Sequence, residues 1–176
     1  MIHFTSRIAT LAILIASSCM CSCSDDVNNP PFEPPKTYYS LEEALEEPEL
    51  VTSLFLEDIG DSLSPMIGTL SQLTDLRIGK SNIRFLPEEI TNLMILRTLS
   101  LFDCGFEHIP DHIMQIPNLS SLYVTGCQIQ DIPQKFGELD NIQWITFRDN
   151  MISNIPRGVL CTREIMGLSL DANRLS

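Results

Sequence analysis

The chain has 176 residues, of which 44% are hydrophobic, and a formal net charge of −12. This length and apolar content suit one folded domain with a core of its own. The acidic charge excludes nucleic-acid binding and adsorption to anionic membrane surfaces, because both need clusters of Lys and Arg that attract phosphate groups.

The N-terminal segment has the features of an export signal. Arg7 is the only formally charged residue before Asp25, and the apolar run IATLAILIA occupies residues 8–16. Such a run is too short to span a bilayer, which takes about 20 apolar residues. A basic start, a short apolar run and small residues together predict a secretory signal that is removed from the mature protein.

Three cysteines follow the apolar run, in the sequence SSCMCSCSDD. This arrangement resembles the signal of bacterial lipoproteins, and its CSDD part resembles surface lipoproteins of Bacteroidetes-type bacteria. The resemblance implies a signal peptide over residues 1–22, lipid modification of Cys23, with Cys19 as the alternative site, and a surface-exposed position on the outer membrane. An ordinary cleaved signal with incidental cysteines is the other interpretation.

The next two segments are predicted to be a tether and a cap. Residues 23–39 contain four prolines and few apolar side chains, which predicts an extended spacer behind the lipidated cysteine. Residues 40–50 are predicted to form a short capping helix, in which Ser40 and Glu43 make a capping box. The first unit of a repeat protein needs such a cover for its apolar end.

From Val51 onward the sequence repeats. Pairs of alternating apolar residues recur after 22 residues and then four times after 23. The pairs are Leu54/Leu56, Leu76/Ile78, Leu99/Leu101, Leu122/Val124, Ile145/Phe147 and Leu168/Leu170. The position three residues after each pair holds Ile59, Ser81, Cys104, Cys127, Asn150 or Asn173. Prolines recur in the second half of the unit, at Pro65, Pro87, Pro110, Pro133 and Pro156.

The unit resembles the leucine-rich repeat, with about five and a half copies over residues 51–176. The implied fold is an α/β solenoid, with short parallel strands on a concave face and short helical or 3₁₀ turns on a convex face. Each L-x-L pair alternates as a strand does, so its two apolar side chains point into the core. The polar side chain that follows is expected to bind backbone groups at the turn.

The sequence contains only weak signals of a catalytic or metal-binding site. Cys104 and Cys127 occupy the same position in adjacent units, where two buried free thiols are favoured over a disulfide bond. His108 lies near Cys104, but no third orienting group follows from the spacing. His108 and His112 are too few ligands for a metal. We therefore expect no catalytic residues, no metal, no cofactor and no enzymatic activity.

The residues before, between and after each apolar pair are expected to face solvent on the concave side. They are Ser53, Phe55, Glu57, Asp75, Arg77, Gly79, Thr98, Ser100, Phe102, Ser121, Tyr123, Thr125, Trp144, Thr146, Arg148, Gly167, Ser169 and Asp171. Exposed aromatic residues often mark interaction sites. With strands in register, the rings of Phe102, Tyr123 and Trp144 are predicted to form a diagonal flanked by Arg77 and Arg148, with Phe55 as a further ligand-binding residue.

The sequence pattern by itself is compatible with three functions. The favoured one is a surface lipoprotein whose concave face binds a protein partner, because solenoid faces are extended and suit large ligands. The alternatives are a glycan-binding accessory protein of a nutrient-uptake system and a structural envelope component. Membrane contact is expected only through the lipid anchor. The last repeat lacks a visible cover, which predicts end-to-end self-association or fraying at that edge.

Overall fold

The computed structural model describes residues 36–160 and 165–175. The predicted signal peptide, both candidate lipidation sites, most of the tether and Cys161 lie outside these residues. No helix within the two described ranges is long and apolar enough to cross a membrane.

In the described ranges, seven parallel strands form one open sheet, and they follow one another in chain order. They are β1 (Thr37–Tyr38), β2 (Ser53–Glu57), β3 (Asp75–Ser81), β4 (Thr98–Cys104), β5 (Ser121–Thr125), β6 (Trp144–Thr146) and β7 (Gly167–Ser169). The L-x-L pairs stack directly on one another, as in Leu76↔Leu99 and Leu99↔Leu122. This arrangement confirms the predicted α/β solenoid with parallel strands.

Short helical turns form the layer behind the sheet. The 3₁₀ turns described are Pro65–Thr69, Glu88–Asn92, Asp111–Gln115 and Gln134–Glu138, and the α-helix Arg157–Leu160 follows them. Pro87, Pro110 and Pro133 each stand at the N-cap with extended backbone, where a missing N–H costs no hydrogen bond. The turns bring Ile67, Ile90 and other aliphatic residues against the strand leucines, and this side of the core is almost fully buried.

The N-terminal cap differs in part from the prediction. The helix α1 spans Leu41–Glu46, and the Ser40 side chain accepts a hydrogen bond from the Glu43 N–H at 3.4 Å, as expected. Glu43 does not complete the capping box, however, because its carboxylate pairs with Lys36 at 3.4 Å. Strand β1 lies within the segment that the sequence analysis placed in the tether, and its Tyr38 is buried against β2.

The polar position after each strand links neighbouring repeats. The Asn150 side-chain amide donates to the carbonyls of Val124 and Arg148, both at 2.9 Å, and its oxygen accepts from the Ile129 N–H at 3.2 Å. Asn173 repeats this pattern one unit later, accepting from the Ile152 N–H at 3.0 Å. The predicted role of this position in binding backbone groups at the turn is therefore confirmed.

One residue per repeat adopts a left-handed backbone conformation just before this polar position. The series is Asp58, Lys80, Asp103, Gly126, Asp149 and Ala172, with φ between 47° and 66°. Asp tolerates this region better than most residues, and Gly enters it without steric cost. The conformation turns the chain sharply out of the strand, so the backbone requirement recurs even though the residue type varies.

Replacing Gly126 with alanine is expected to lower the free energy of unfolding by about 1–3 kcal/mol, because a β-carbon at this φ is strained and would also press against the Asp103 carboxylate. Gly60→Ala is the comparison, since Gly60 also has positive φ (78°) but has open space where the β-carbon would stand. Urea denaturation measures both variants. Equal losses would show that the contact with Asp103 contributes nothing.

Candidate binding site on the concave face

The face of the sheet that points away from the core is called the concave face here. It is formed by the side chains before, between and after each buried pair, and most of them are small or polar. The aromatic residues Tyr39, Phe55, Phe102, Tyr123 and Trp144 stand out on it, and Tyr39, Tyr123 and Trp144 are 68%, 36% and 46% exposed. The sheet therefore presents aromatic side chains to solvent, as predicted.

The strand register places three of these residues on the predicted diagonal. Tyr123 pairs with Ser100, two residues before Phe102 on β4, and Trp144 pairs with Ser121, two residues before Tyr123 on β5. On each successive strand, the aromatic residue thus lies two positions closer to the start of the strand. The Cα positions follow the register that the sequence analysis assumed.

The rings nevertheless do not form one continuous cluster. Phe102 extends across β3 onto Gly79, and its ring meets that of Phe55 with centroids 5.8 Å apart. Phe55 in turn meets Tyr39 edge to face at 5.9 Å. These three rings, Tyr39, Phe55 and Phe102, are called the N-terminal aromatic cluster below.

Trp144 leans in the opposite direction, toward the C-terminal end of the sheet. Its ring lies on Gly167, its direct neighbour on β7. Within the described residues, no ring contact joins Tyr123 to Phe102 or to Trp144. The concave face therefore has two separate aromatic areas with Tyr123 between them.

The reason for this division is the position of the two glycines. Gly79 and Gly167 are the lateral neighbours of Phe102 and Trp144, and a side chain at either glycine would collide with the ring above it. A large ring on a sheet packs over whichever neighbour leaves room. The sequence analysis did not assign this role to the glycines or any role to Tyr39. The direction of each ring could have been predicted from the repeat alignment, in which a glycine stands opposite an aromatic residue at both places.

The two arginines of the concave face differ in their surroundings. Arg148 forms an ion pair with Asp171, with Nε and Oδ2 3.6 Å apart. Arg77, on β3 beside Phe55, has no acidic partner, hydrogen bond or ring contact through its side chain within the described part of the chain. The nearby Glu57 carboxylate is already paired with Lys80 at 2.9 Å, and this hydrogen bond raises the pKa of Lys80.

Solved structures with the same architecture are leucine-rich-repeat proteins. A leucine-rich-repeat protein of Leptospira interrogans is 25% identical, with a TM-score of 0.66 over 78% of this chain and 41% of that one. This chain has the leucine-rich-repeat fold. The plant peptide hormone receptor RGFR1, in complex with RGF2, is also 25% identical, with a TM-score of 0.56 over 70% of this chain and 20% of the receptor.

The present chain spans less than half the length of the Leptospira protein and of the plant receptor. No protein-family model and no curated protein sequence matches it. The structural likeness therefore establishes the repeat architecture of this chain.

The cysteines that might have suggested chemistry are buried within the repeats. Cys104 and Cys127 are free thiols, as predicted, and each is 5% exposed. The thiol groups donate to backbone carbonyls, Cys104 to that of Phe102 at 3.4 Å and Cys127 to that of Thr125 at 3.7 Å. The neighbouring Cys104 thiol, together with burial, raises the pKa of Cys127. A nucleophile must reach its substrate, so the burial of both thiols argues against the Cys104–His108 pair considered above.

His108 and His112 lie on the flank and the back of the solenoid. His108 is exposed and forms a β-bridge with Asp131, and His112 lies half-buried in the turn Asp111–Gln115. Among residues 36–160 and 165–175, no group of His, Cys, Asp and Glu is arranged to hold a metal ion.

Proposed function

We propose that this leucine-rich-repeat chain is a non-catalytic binding module on a bacterial cell surface. In this proposal a lipid on Cys23, or on Cys19, holds it to the outer membrane, and residues 24–35 separate the repeats from the lipid. The concave face then binds a protein partner. The cysteines after the apolar segment support the anchor, and the two structural neighbours support a partner-binding role.

The observation that carries the binding role is the way in which Trp144 is presented. The residue is 46% exposed, and its ring lies so close over Gly167 that a side chain there would collide with it. A ring supported from below loses little conformational freedom on binding, and aromatic anchors of this kind dominate many interfaces. Phe55, Phe102, Tyr123, Arg77 and Arg148 are the remaining proposed ligand-binding residues.

The test of this function begins with a pull-down from surface extracts, followed by calorimetric titration of the purified partner. Trp144→Ala and Tyr123→Ala are each expected to weaken binding by about 2 kcal/mol, or roughly 30-fold, while changing the melting temperature little. Glu88→Ala, on an exposed convex position, is the control and should bind normally. Normal binding by both aromatic variants would exclude this part of the concave face as the site.

A glycan ligand is the second candidate, and one feature of the flank favours it. A polar groove of about 410 Å³ lies beside the starts of β4, β5 and β6, lined by Ile95, Arg97, Asn118, Ser120, Asn141 and Gln143. Amide and guanidinium groups without a carboxylate suit the hydroxyl groups of sugars. Binding of the full chain on a glycan array, with no protein recovered from extracts, would favour this alternative.

A further inference from the structure

Arg77 is the one cationic side chain of the concave face that lacks an acidic partner within the described residues. Arg148 is compensated by Asp171 at 3.6 Å, and Lys80, near the end of β3, by Glu57 at 2.9 Å. Asp75, two residues before Arg77, forms no ion pair with it, and its carboxylate lies 2.8 Å from the Thr74 hydroxyl. The guanidinium therefore keeps its full set of donors for a ligand.

The N-terminal aromatic cluster surrounds this arginine on two sides. Phe55 is its direct neighbour on β2, and the ring of Phe102 lies over Gly79, two residues further along the strand of Arg77. Alternate residues of one strand are about 6.6 Å apart along its axis and point to the same side, so Arg77 and the Phe102 ring share this face of the sheet. The rings thus provide an apolar surface next to a positive charge that has no acidic partner among the described residues.

We propose that Arg77 and the N-terminal aromatic cluster form a subsite for an extended peptide segment that presents one carboxylate side chain beside an aromatic or aliphatic one. This inference rests on the proposed function, because it names the chemistry that the protein partner offers to one half of the concave face. The planar guanidinium binds a carboxylate through two parallel hydrogen bonds. The rings accept the adjacent apolar side chain.

The overall acidity of the chain limits the partner to a single carboxylate rather than an acidic run. Five glutamates lie in and just after helix α1, near the edge of the sheet where Tyr39 stands: Glu42, Glu43, Glu46, Glu47 and Glu49. Their field repels a strongly acidic ligand over about 8 Å at physiological salt. For a single carboxylate in direct contact with Arg77, the free energy of the charge-assisted hydrogen bonds exceeds this weak repulsion, because such hydrogen bonds are strong at short range.

The test uses a displayed library of random linear peptides, selected against the full chain. We expect enriched peptides to place Asp or Glu next to Phe, Tyr, Trp, Leu or Ile. Each enriched peptide is then compared with its Asp→Asn or Glu→Gln analogue by fluorescence polarisation, on wild type and on Arg77→Gln. Either change alone should weaken binding on the order of 10-fold. The two changes together should cost little more than one.

Arg84→Gln is the matched control. Arg84 is also exposed and also lacks an ion pair within the described part of the chain, but it lies beyond the end of β3, beside Phe85, rather than on the concave face. Its replacement removes the same charge and should change peptide affinity less than about twofold by long-range effects alone. An equal loss in Arg84→Gln and Arg77→Gln would overturn the subsite.

The remaining outcomes separate this inference from the proposed function. Peptides that lose affinity with Trp144→Ala but not with Arg77→Gln overturn the subsite and leave the binding role of the concave face intact. Peptides insensitive to both variants overturn both proposals. A library that yields no enriched peptide overturns the subsite, since it is proposed to accept short segments, while titration with a purified partner still decides the proposed function.

Discussion

Replacing Phe147 with alanine is expected to lower the free energy of unfolding by about 3–5 kcal/mol. Phe147 follows β6 and is fully buried, and its ring meets Phe136 edge to face at 5.7 Å. Phe136 belongs to the 3₁₀ turn Gln134–Glu138, so the pair joins the sheet layer to the turn layer across two repeats. Truncation leaves a cavity at a position where both layers meet through aromatic rings.

Urea denaturation measures the total loss, and hydrogen exchange locates it. Because repeat proteins are stabilised mainly by contacts between neighbouring units, protection should fall most from β6 onward and least near β2 and β3. Phe85→Ala is the matched control, since Phe85 is 75% exposed and should contribute about 0.5 kcal/mol or less. Uniform loss of protection along the whole chain would contradict the expected locality.

Replacing Asn150 with alanine is expected to cost about 3 kcal/mol, the second largest effect. Three hydrogen bonds would be lost, to the Val124 carbonyl, the Arg148 carbonyl and the Ile129 N–H. The side chain is only 7% exposed, so water does not readily replace it, and each buried polar group left unpaired costs about 1–3 kcal/mol. Two of these groups belong to the preceding repeat, so the variant weakens a contact between units.

Asn154→Ala provides the control within the same repeat. Asn154 is exposed and its side chain makes no hydrogen bond within the described residues, so its removal should change the free energy of unfolding by about 0.5 kcal/mol or less. Equal free energies of unfolding for Asn150→Ala and Asn154→Ala would mean that the side chain of Asn150 contributes nothing to the stacking of repeats. Denaturation curves with unchanged slopes would show that the comparison concerns stability alone.

The repeat architecture could be predicted from the sequence because its determinants are local and periodic. Alternating pairs such as Leu99 and Leu101 define a strand, and their recurrence after 23 residues defines which residues stack. Parallel strands one repeat apart have no other register that buries every pair, since a slip of one residue would turn the leucines to solvent. The buried turn position of Asn150 and Cys104 followed from the same period.

The N-terminal cap was harder to predict because it lies outside the period. Ser40 was identified as a helix cap from local sequence, and it does cap α1. Strand β1 has only two residues and pairs with β2 without any pattern of its own. Short strands at a sheet edge depend on the partner strand, so sequence alone placed Thr37 and Tyr38 in the tether.

The sequence by itself determined which residues reach the concave face, because strand alternation fixes the side to which each side chain points. Only the tertiary structure decided what they contact there. Phe102 leans over Gly79 toward Phe55, and Trp144 leans over Gly167, because each ring packs on the neighbour that has no side chain. The same holds for charge: Arg148 pairs with Asp171, whereas Arg77 has no acidic partner among the residues that the structure describes. This difference depends on side-chain directions across strands, which no repeat pattern encodes.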